Sequence, residues 1–136
     1  MSTQLRAIVI ASIATAFTML CLDLAWLGLI AQPIYDSLLG PLKRPEVFWP
    51  PALLFYLMYV VFTLRYAVFA TTTISAAARQ GAALGGLAYA TYELTNWAVL
   101  RDWPPLLVPI DIIWGIALTA TAAAVGKLAH LKTQRP

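Results

Sequence analysis

Apolar residues in this chain are grouped into four long runs that are separated by short polar segments. The runs extend over Ala7–Ala31, Trp49–Ala70, Ser75–Leu100 and Pro104–Leu128. A helix needs about 20 consecutive, mostly apolar residues to cross a membrane, and each run reaches that length. The segments between the runs are too short for a soluble domain. The pattern therefore predicts an all-α polytopic membrane protein, with residues 1–136 forming a single four-helix transmembrane domain.

The amino-acid composition supports the prediction of a membrane protein. Of the 136 residues, 61% are hydrophobic and 11% are charged, whereas a soluble domain carries about 25% charged residues. The formal net charge is +3, but the basic residues lie near the predicted helix ends, where they fit topology signals and contacts with lipid headgroups. Membrane lipids are therefore the predicted partners, and nucleic acid is not.

The basic residues also predict an orientation, because they are enriched in cytoplasmic segments of membrane proteins. One side of the predicted bundle carries six basic residues and no acidic residue: Arg6, Arg65, Arg79, Lys127, Lys132 and Arg135. The other side carries three basic and three acidic residues: Lys43, Arg44, Arg101, Asp36, Glu46 and Asp102. Both termini are therefore predicted to be cytoplasmic.

Three carboxylates, Asp23, Glu93 and Asp111, lie inside apolar runs. A charged residue at the centre of a membrane helix costs about 2.5–3.5 kcal/mol on insertion scales, which makes each a candidate functional residue. With a rise of about 1.5 Å per residue, all three fall roughly 10–12 Å below the outer helix ends. Tyr56 falls at the same level and Tyr59 one turn deeper. We therefore expect the three acids to face one another across the bundle, and they are the candidate catalytic groups.

Two of the acids belong to D-x-x-W motifs, Asp23 with Trp26 and Asp111 with Trp114. This spacing places the acid and the indole on one helix face, where the indole N–H can donate to a carboxylate or to a ligand. For Trp26 an interfacial anchor is the alternative reading. For Trp114, which is too deep for an interfacial belt, core packing is the alternative.

The third run carries a polar stripe. Tyr89, Glu93, Asn96 and Trp97 follow one another at i, i+4, i+7 and i+8, so we expect them to face the bundle interior and to join the two D-x-x-W motifs and the two tyrosines in one ligand-binding layer. Interhelical hydrogen bonding that serves only assembly is the alternative, worth roughly 0.6–2 kcal/mol per contact.

Small residues predict where the helices approach each other most closely. Gly81-x-x-x-Gly85 lies in the third run, and Gly115, Thr119, Ala122 and Gly126 follow one face of the fourth. Such patterns mark helix–helix contacts in membranes. They predict a tightly packed inner half and a wider outer half, with a cavity that opens outward or toward the outer leaflet.

The stretches LDLAWLGLIAQPIYDSLLG, FYLMYVVF, GAALGGLAYATYELTN and IDIIWGIALTATAA together resemble the DUF2177 family of bacterial membrane proteins. The resemblance covers nearly the whole chain, with Glu93 where the family usually has Asp. It implies a multi-pass protein of the bacterial cytoplasmic (inner) membrane. The family name records an unknown function, and its members are often encoded near lipid-modifying enzymes, which points to lipid chemistry.

Three classes of function remain open at this point. The first is a site that binds or modifies a lipid-like hydrophobic small molecule, with carboxyl groups exchanging protons and aromatic residues lining the pocket. The second is a structural or assembly subunit of a membrane complex. The third is a proton- or cation-coupled transporter, for which a homo-oligomeric assembly is also open. With one cysteine and one histidine in the chain, neither a metal site nor a cofactor is predicted.

Overall fold

The computed structural model describes residues 2–134, and this part of the chain is helical, with short connections and no β-strand. Its α-helices are α1 Thr3–Ala25, α2 Ala31–Leu39, α3 Trp49–Thr63, α4 Ile74–Val99 and α5 Leu107–Gln134. The all-α prediction is therefore confirmed. Arg135, one of the basic residues that predict the orientation, lies outside the described residues.

The first helical stretch is longer than predicted. A π-helical segment, Trp26–Ile30, joins α1 to α2, so helical backbone continues to Leu39 instead of ending at Ala31. Pro33 explains the π segment, because a proline inside a helix lacks the N–H and crowds the carbonyl four residues earlier. The stretch contains 37 residues and would measure about 55 Å, compared with a hydrocarbon core of about 30 Å.

The other predicted boundaries agree more closely with the structure. A second π-helical segment, Leu64–Val68, prolongs α3, and the amide of Phe69 closes it by donating to the Leu64 carbonyl at 2.8 Å. The Thr73 hydroxyl caps α4 by accepting a hydrogen bond from the Ala76 amide at 3.2 Å. The last helix begins at Leu107, three residues after the predicted start at Pro104, and it ends at Gln134, six residues beyond the predicted end at Leu128.

Helix α5 is the centre of the packing, with α4 and α1 running antiparallel along it. Gly85 permits the backbones of α4 and α5 to approach closely, since a Cβ atom there would lie 2.1 Å from the carbonyl oxygen of Gly115. Farther along α5, a Cβ atom on Gly126 would lie 2.0 Å from the hydroxyl oxygen of Thr15 on α1. The prediction that these small residues form helix contacts is therefore confirmed.

Helix α3 packs far less completely than the others. The π segment Leu64–Val68, which follows α3, makes most of the contacts with α4 and α5. Large apolar side chains of α3 itself, such as Leu53, Leu54 and Leu57, remain exposed. Soluble proteins rarely expose apolar surface on this scale. The exposed surface of α3 is suited to lipid.

Three helical stretches are long and apolar enough to cross a membrane, as judged by length and composition: Thr3–Leu39, Trp49–Val68 and Leu107–Gln134. Helix α4 has 26 residues but a lower hydropathy, because it contains Arg79, Gln80, Glu93 and Asn96 besides its glycines and alanines. The structure is therefore that of a helical membrane protein with several apolar helices.

Candidate functional site

Two carboxyl groups meet where α4 and α5 face each other. Glu93 is 0% exposed and Asp111 is 4% exposed, and the two carboxyl groups are neighbours across the contact of α4 with α5. Within residues 2–134, neither carboxyl group forms an ion pair with a basic side chain. The ion pair found in this part of the chain joins Lys43 and Asp36. A buried acid pair without a cation is costly, which marks this position as unusual.

Asp111 is held by a residue that the sequence analysis did not select. The hydroxyl of Tyr35 donates a hydrogen bond to Asp111 Oδ1 at 2.6 Å, and the indole Nε1 of Trp26 donates to the Tyr35 oxygen at 3.4 Å. Tyr35 lies on α2, which the prediction assigned to a connecting segment. The signal was the apolar stripe formed by Ile34, Tyr35, Leu38 and Leu39, which packs on Trp103, Leu107 and Val108.

Glu93 is covered by a second residue that was missed. Trp103 lies in the connection between α4 and α5, is buried, and donates from Nε1 to Glu93 Oε2 at 2.9 Å. The other carboxyl oxygen, Oε1, is buried without a hydrogen-bond partner among the described residues. A buried carboxyl oxygen without a partner is unfavourable unless a proton or a ligand group satisfies it.

Asp23 is connected to this pair through the two D-x-x-W motifs. The Nε1 of Trp114 donates to Asp23 Oδ1 at 3.3 Å, and the Trp114 ring stacks on that of Trp26, with centroids 4.5 Å apart and planes 7° from parallel. Trp26 donates a hydrogen bond to Tyr35, and Tyr35 donates one to Asp111. The three acids therefore belong to one connected network, which we call the acid network: Asp23, Trp114, Trp26, Tyr35, Asp111, Glu93 and Trp103.

A cavity of ≈ 350 Å³ lies beside the acid network. Its walls are formed by Tyr35, Phe55, Ala88, Tyr89, Tyr92 and Asp111. Phe55 and Tyr92 are each 54% exposed, so the cavity is open on the side where α3 and α4 separate. Gly115 leaves room for the Tyr89 wall, because a Cβ atom there would lie 2.2 Å from the tyrosine ring.

A second, smaller cavity of ≈ 210 Å³ adjoins the first. It is lined by Phe55, Met58, Tyr59, Phe62, Leu84 and Ala88, and it shares Phe55 and Ala88 with the first cavity. We call this second cavity the α3–α4 groove. Its walls are apolar apart from the Tyr59 hydroxyl, which pairs with the hydroxyl of Thr119. The cavity that contains Asp111 therefore has an apolar neighbour between α3 and α4.

The remaining residues predicted for the ligand-binding layer have different positions. Tyr59 and Tyr89 line the cavities, and Tyr56 lies near Asp23 with a buried hydroxyl that has no partner among the described residues. Asn96 is half-buried and lines neither cavity.

The prediction that Trp97 faces the interior is wrong, since it is 49% exposed and lines neither cavity. The reason lies in the connection after α4, where Trp103 folds back over Glu93 and supplies the indole that covers it. Among residues 2–134, no group of three or more His, Cys, Asp or Glu side chains has an arrangement suited to a metal ion.

Several apolar helices around a network of acidic and aromatic side chains define a helical membrane protein. The chain belongs to the family described as predicted membrane protein (DUF2177), whose family model matches residues 8–128. The resemblance seen in the sequence is therefore confirmed, and the matched range contains the whole acid network. Searches among curated proteins and among solved structures found no match.

Proposed function

We propose that this protein binds a lipid-like hydrophobic small molecule, with its polar end in the cavity at Asp111 and its apolar part in the α3–α4 groove. One observation carries the proposal: a cavity of ≈ 350 Å³ with a buried acid and three tyrosines in its wall opens between α3 and α4. Ligand sites are commonly clefts of about 300–1,000 Å³ with mostly apolar walls and a few polar groups.

The proposal includes a topology of four membrane spans with both termini cytoplasmic, in the bacterial inner membrane. Helix α4 would measure about 39 Å from its 26 residues, and it pairs with α5 from Gly81 to Glu93. The charge bias of the connecting segments supports cytoplasmic termini. In this orientation the cavity lies in the outer half of the membrane and opens toward lipid.

The acid pair gives the proposed site its chemistry. Two neighbouring buried carboxyl groups do not both ionise readily, because like charges repel in a medium of low dielectric constant. We propose that Glu93 and Asp111 hold one proton between them. Such a pair can donate to or accept from a bound polar group, so the site offers proton exchange as well as binding.

A structural or assembly role is the second candidate, and one observation favours it. Each acid of the network accepts a hydrogen bond from a different part of the chain: Trp114 on α5, Tyr35 on α2 and Trp103 in the last connection. Interhelical hydrogen bonds of this kind stabilise membrane proteins without any ligand. The two candidates differ in what they predict for the cavity, which only the binding function requires to be open.

The experiment compares small molecules that co-purify with the protein, using native mass spectrometry after extraction in mild detergent. Ala88→Phe fills the junction of the cavity and the groove, since Ala88 lines both. Ala83→Phe is the matched control, because Ala83 is an exposed alanine of the same helix. We expect wild type and Ala83→Phe to carry the same small molecule and Ala88→Phe to lose it. Equal occupancy in all three proteins, or no bound molecule in any, would contradict the binding function.

A further inference from the structure

We propose that the ligand of this site is a single-chain amphiphile whose head group is a protonated amine. The inference rests on the proposed function and deepens it by naming the ligand class. It is carried by the charge of the acid network, by the aromatic walls of the cavity, and by the shape of the α3–α4 groove.

The charges around the cavity favour a cationic head group. Asp111 is part of the wall, and Glu93 lies directly behind it. The walls of the cavity and of the α3–α4 groove contain no lysine, arginine or histidine. When the pair holds one proton it keeps one negative charge, and a buried charge is stabilised by an opposite charge. A phosphate or carboxylate head group would add a like charge and is disfavoured.

The aromatic walls favour the same head group. Phe55, Tyr89 and Tyr92 line the cavity together with Asp111. Aromatic ring faces attract ammonium groups, and the attraction is stronger where water is excluded. With Tyr35, which also lines the cavity, an acid and four aromatic rings surround one space, a combination suited to an organic cation. A neutral alcohol would gain only the hydrogen bonds.

The groove favours a single alkyl chain. It has a volume of ≈ 210 Å³ and adjoins the cavity, with which it shares the lining residues Phe55 and Ala88. One wall comes from α3 and the other from α4, and its lining is apolar apart from Tyr59. A single alkyl chain attached to a head group at Asp111 would lie along this groove and contact apolar side chains.

The test uses three photo-crosslinking probes that share one C12 chain with a diazirine and differ only in the head group: a primary amine, an alcohol and a carboxylic acid. The protein is reconstituted in phosphatidylcholine nanodiscs at pH 7. Crosslinked peptides are identified by mass spectrometry, and unlabelled dodecylamine serves as competitor. We expect the amine probe to label peptides from α3 and α4 at concentrations at least about tenfold lower than the other two, because a charge-assisted hydrogen bond has at least that effect on affinity.

Variants separate the head-group inference from the proposed function. Asp111→Asn combined with Glu93→Gln removes the negative charge of the acid pair and should lower amine labelling about tenfold or more, whereas alcohol labelling should fall far less. Asp36→Asn, which alters an exposed acid outside the cavity, should label like wild type. Ala88→Phe should lower labelling by all three probes.

The labelling results distinguish a failure of the amine inference from a failure of the proposed function. Equal groove labelling by the three probes in wild type would overturn the amine inference and leave the proposed function standing. Labelling that avoids α3 and α4, or that Ala88→Phe does not change, would overturn both. The comparison of probes is made in wild type, so it tests the head group even if the variant that carries both Asp111→Asn and Glu93→Gln fails to fold.

Discussion

The hydroxyl of Tyr35 donates a hydrogen bond of 2.6 Å to the carboxylate of Asp111, and this contact joins α2 to α5. Tyr35 also accepts from Trp26, so it links the two D-x-x-W motifs of the chain. The short helix α2 is therefore fixed over the cavity by a polar contact as well as by its apolar stripe.

Replacing Tyr35 by Phe should destabilise the protein while keeping its size. The change removes the donor to Asp111 and leaves a buried carboxylate with one partner fewer, at a cost of about 1–3 kcal/mol. The measurement is a thermal melting curve in detergent, in which the variant should melt at a lower temperature. Tyr66→Phe is the control, because Tyr66 is exposed. Equal melting of both variants would show that the Tyr35 contact adds no stability.

Glu93→Gln combined with Asp111→Asn should fold but lose ligand binding. Each amide has the shape of the carboxylate and an oxygen that can accept the hydrogen bond from Trp103 or Tyr35, so the helix packing should survive. The negative charge and the exchangeable proton of the acid pair are lost. Binding of the C12 amine probe is measured beside a melting curve, with Glu46→Gln as an exposed control. A variant that binds like wild type, or one that does not fold, would favour a purely structural role.

Gly85→Ala should separate α4 from α5. A Cβ atom at this position would lie 2.1 Å from a backbone oxygen of α5, and backbone cannot move aside as the end of a flexible side chain can. Overpacking of this kind costs about 1–3 kcal/mol. Thermal aggregation in detergent should begin at a lower temperature than for Gly28→Ala, since a Cβ atom on Gly28 would meet nothing within 4 Å. Equal stability of the two variants would contradict the close approach of α4 and α5 at Gly85.

The topology predicts different accessibility for two sets of single cysteines in a Cys21→Ala background. Thr3→Cys and Gln134→Cys should react with a membrane-impermeant maleimide only after the cells are opened. Arg44→Cys and Asp102→Cys should react in intact cells, because both lie in the connections at the opposite end of the bundle. Labelling of Thr3→Cys or Gln134→Cys from outside would contradict cytoplasmic termini.

The helices and their contact faces were predictable from sequence because apolar runs and small-residue spacing are local patterns. The acid network was predictable only in part. Asp23, Glu93 and Asp111 stand out by their cost in an apolar run, and Trp26 and Trp114 by their spacing from the acids. Their mutual contacts depend on how the helices pack.

Two members of the network could not be found in this way. Tyr35 follows Pro33, which reads locally as a break, whereas the π segment Trp26–Ile30 absorbs the proline and lets the helix continue. Trp103 lies in a connection whose path is set by the packing of α2 on α5. Trp97 was selected instead because it has the helical spacing from Glu93, and spacing alone does not show which neighbour covers a buried acid.

The most direct test of the binding function is an experimental structure of the wild-type protein in lipid nanodiscs at a resolution that shows side chains. The account predicts elongated density that begins beside Asp111 and Tyr35 and continues between Phe55 and Ala88 into the α3–α4 groove. A structure in which α3 closes onto α4, with the cavity filled by the protein's own side chains and no room for a ligand, would contradict it.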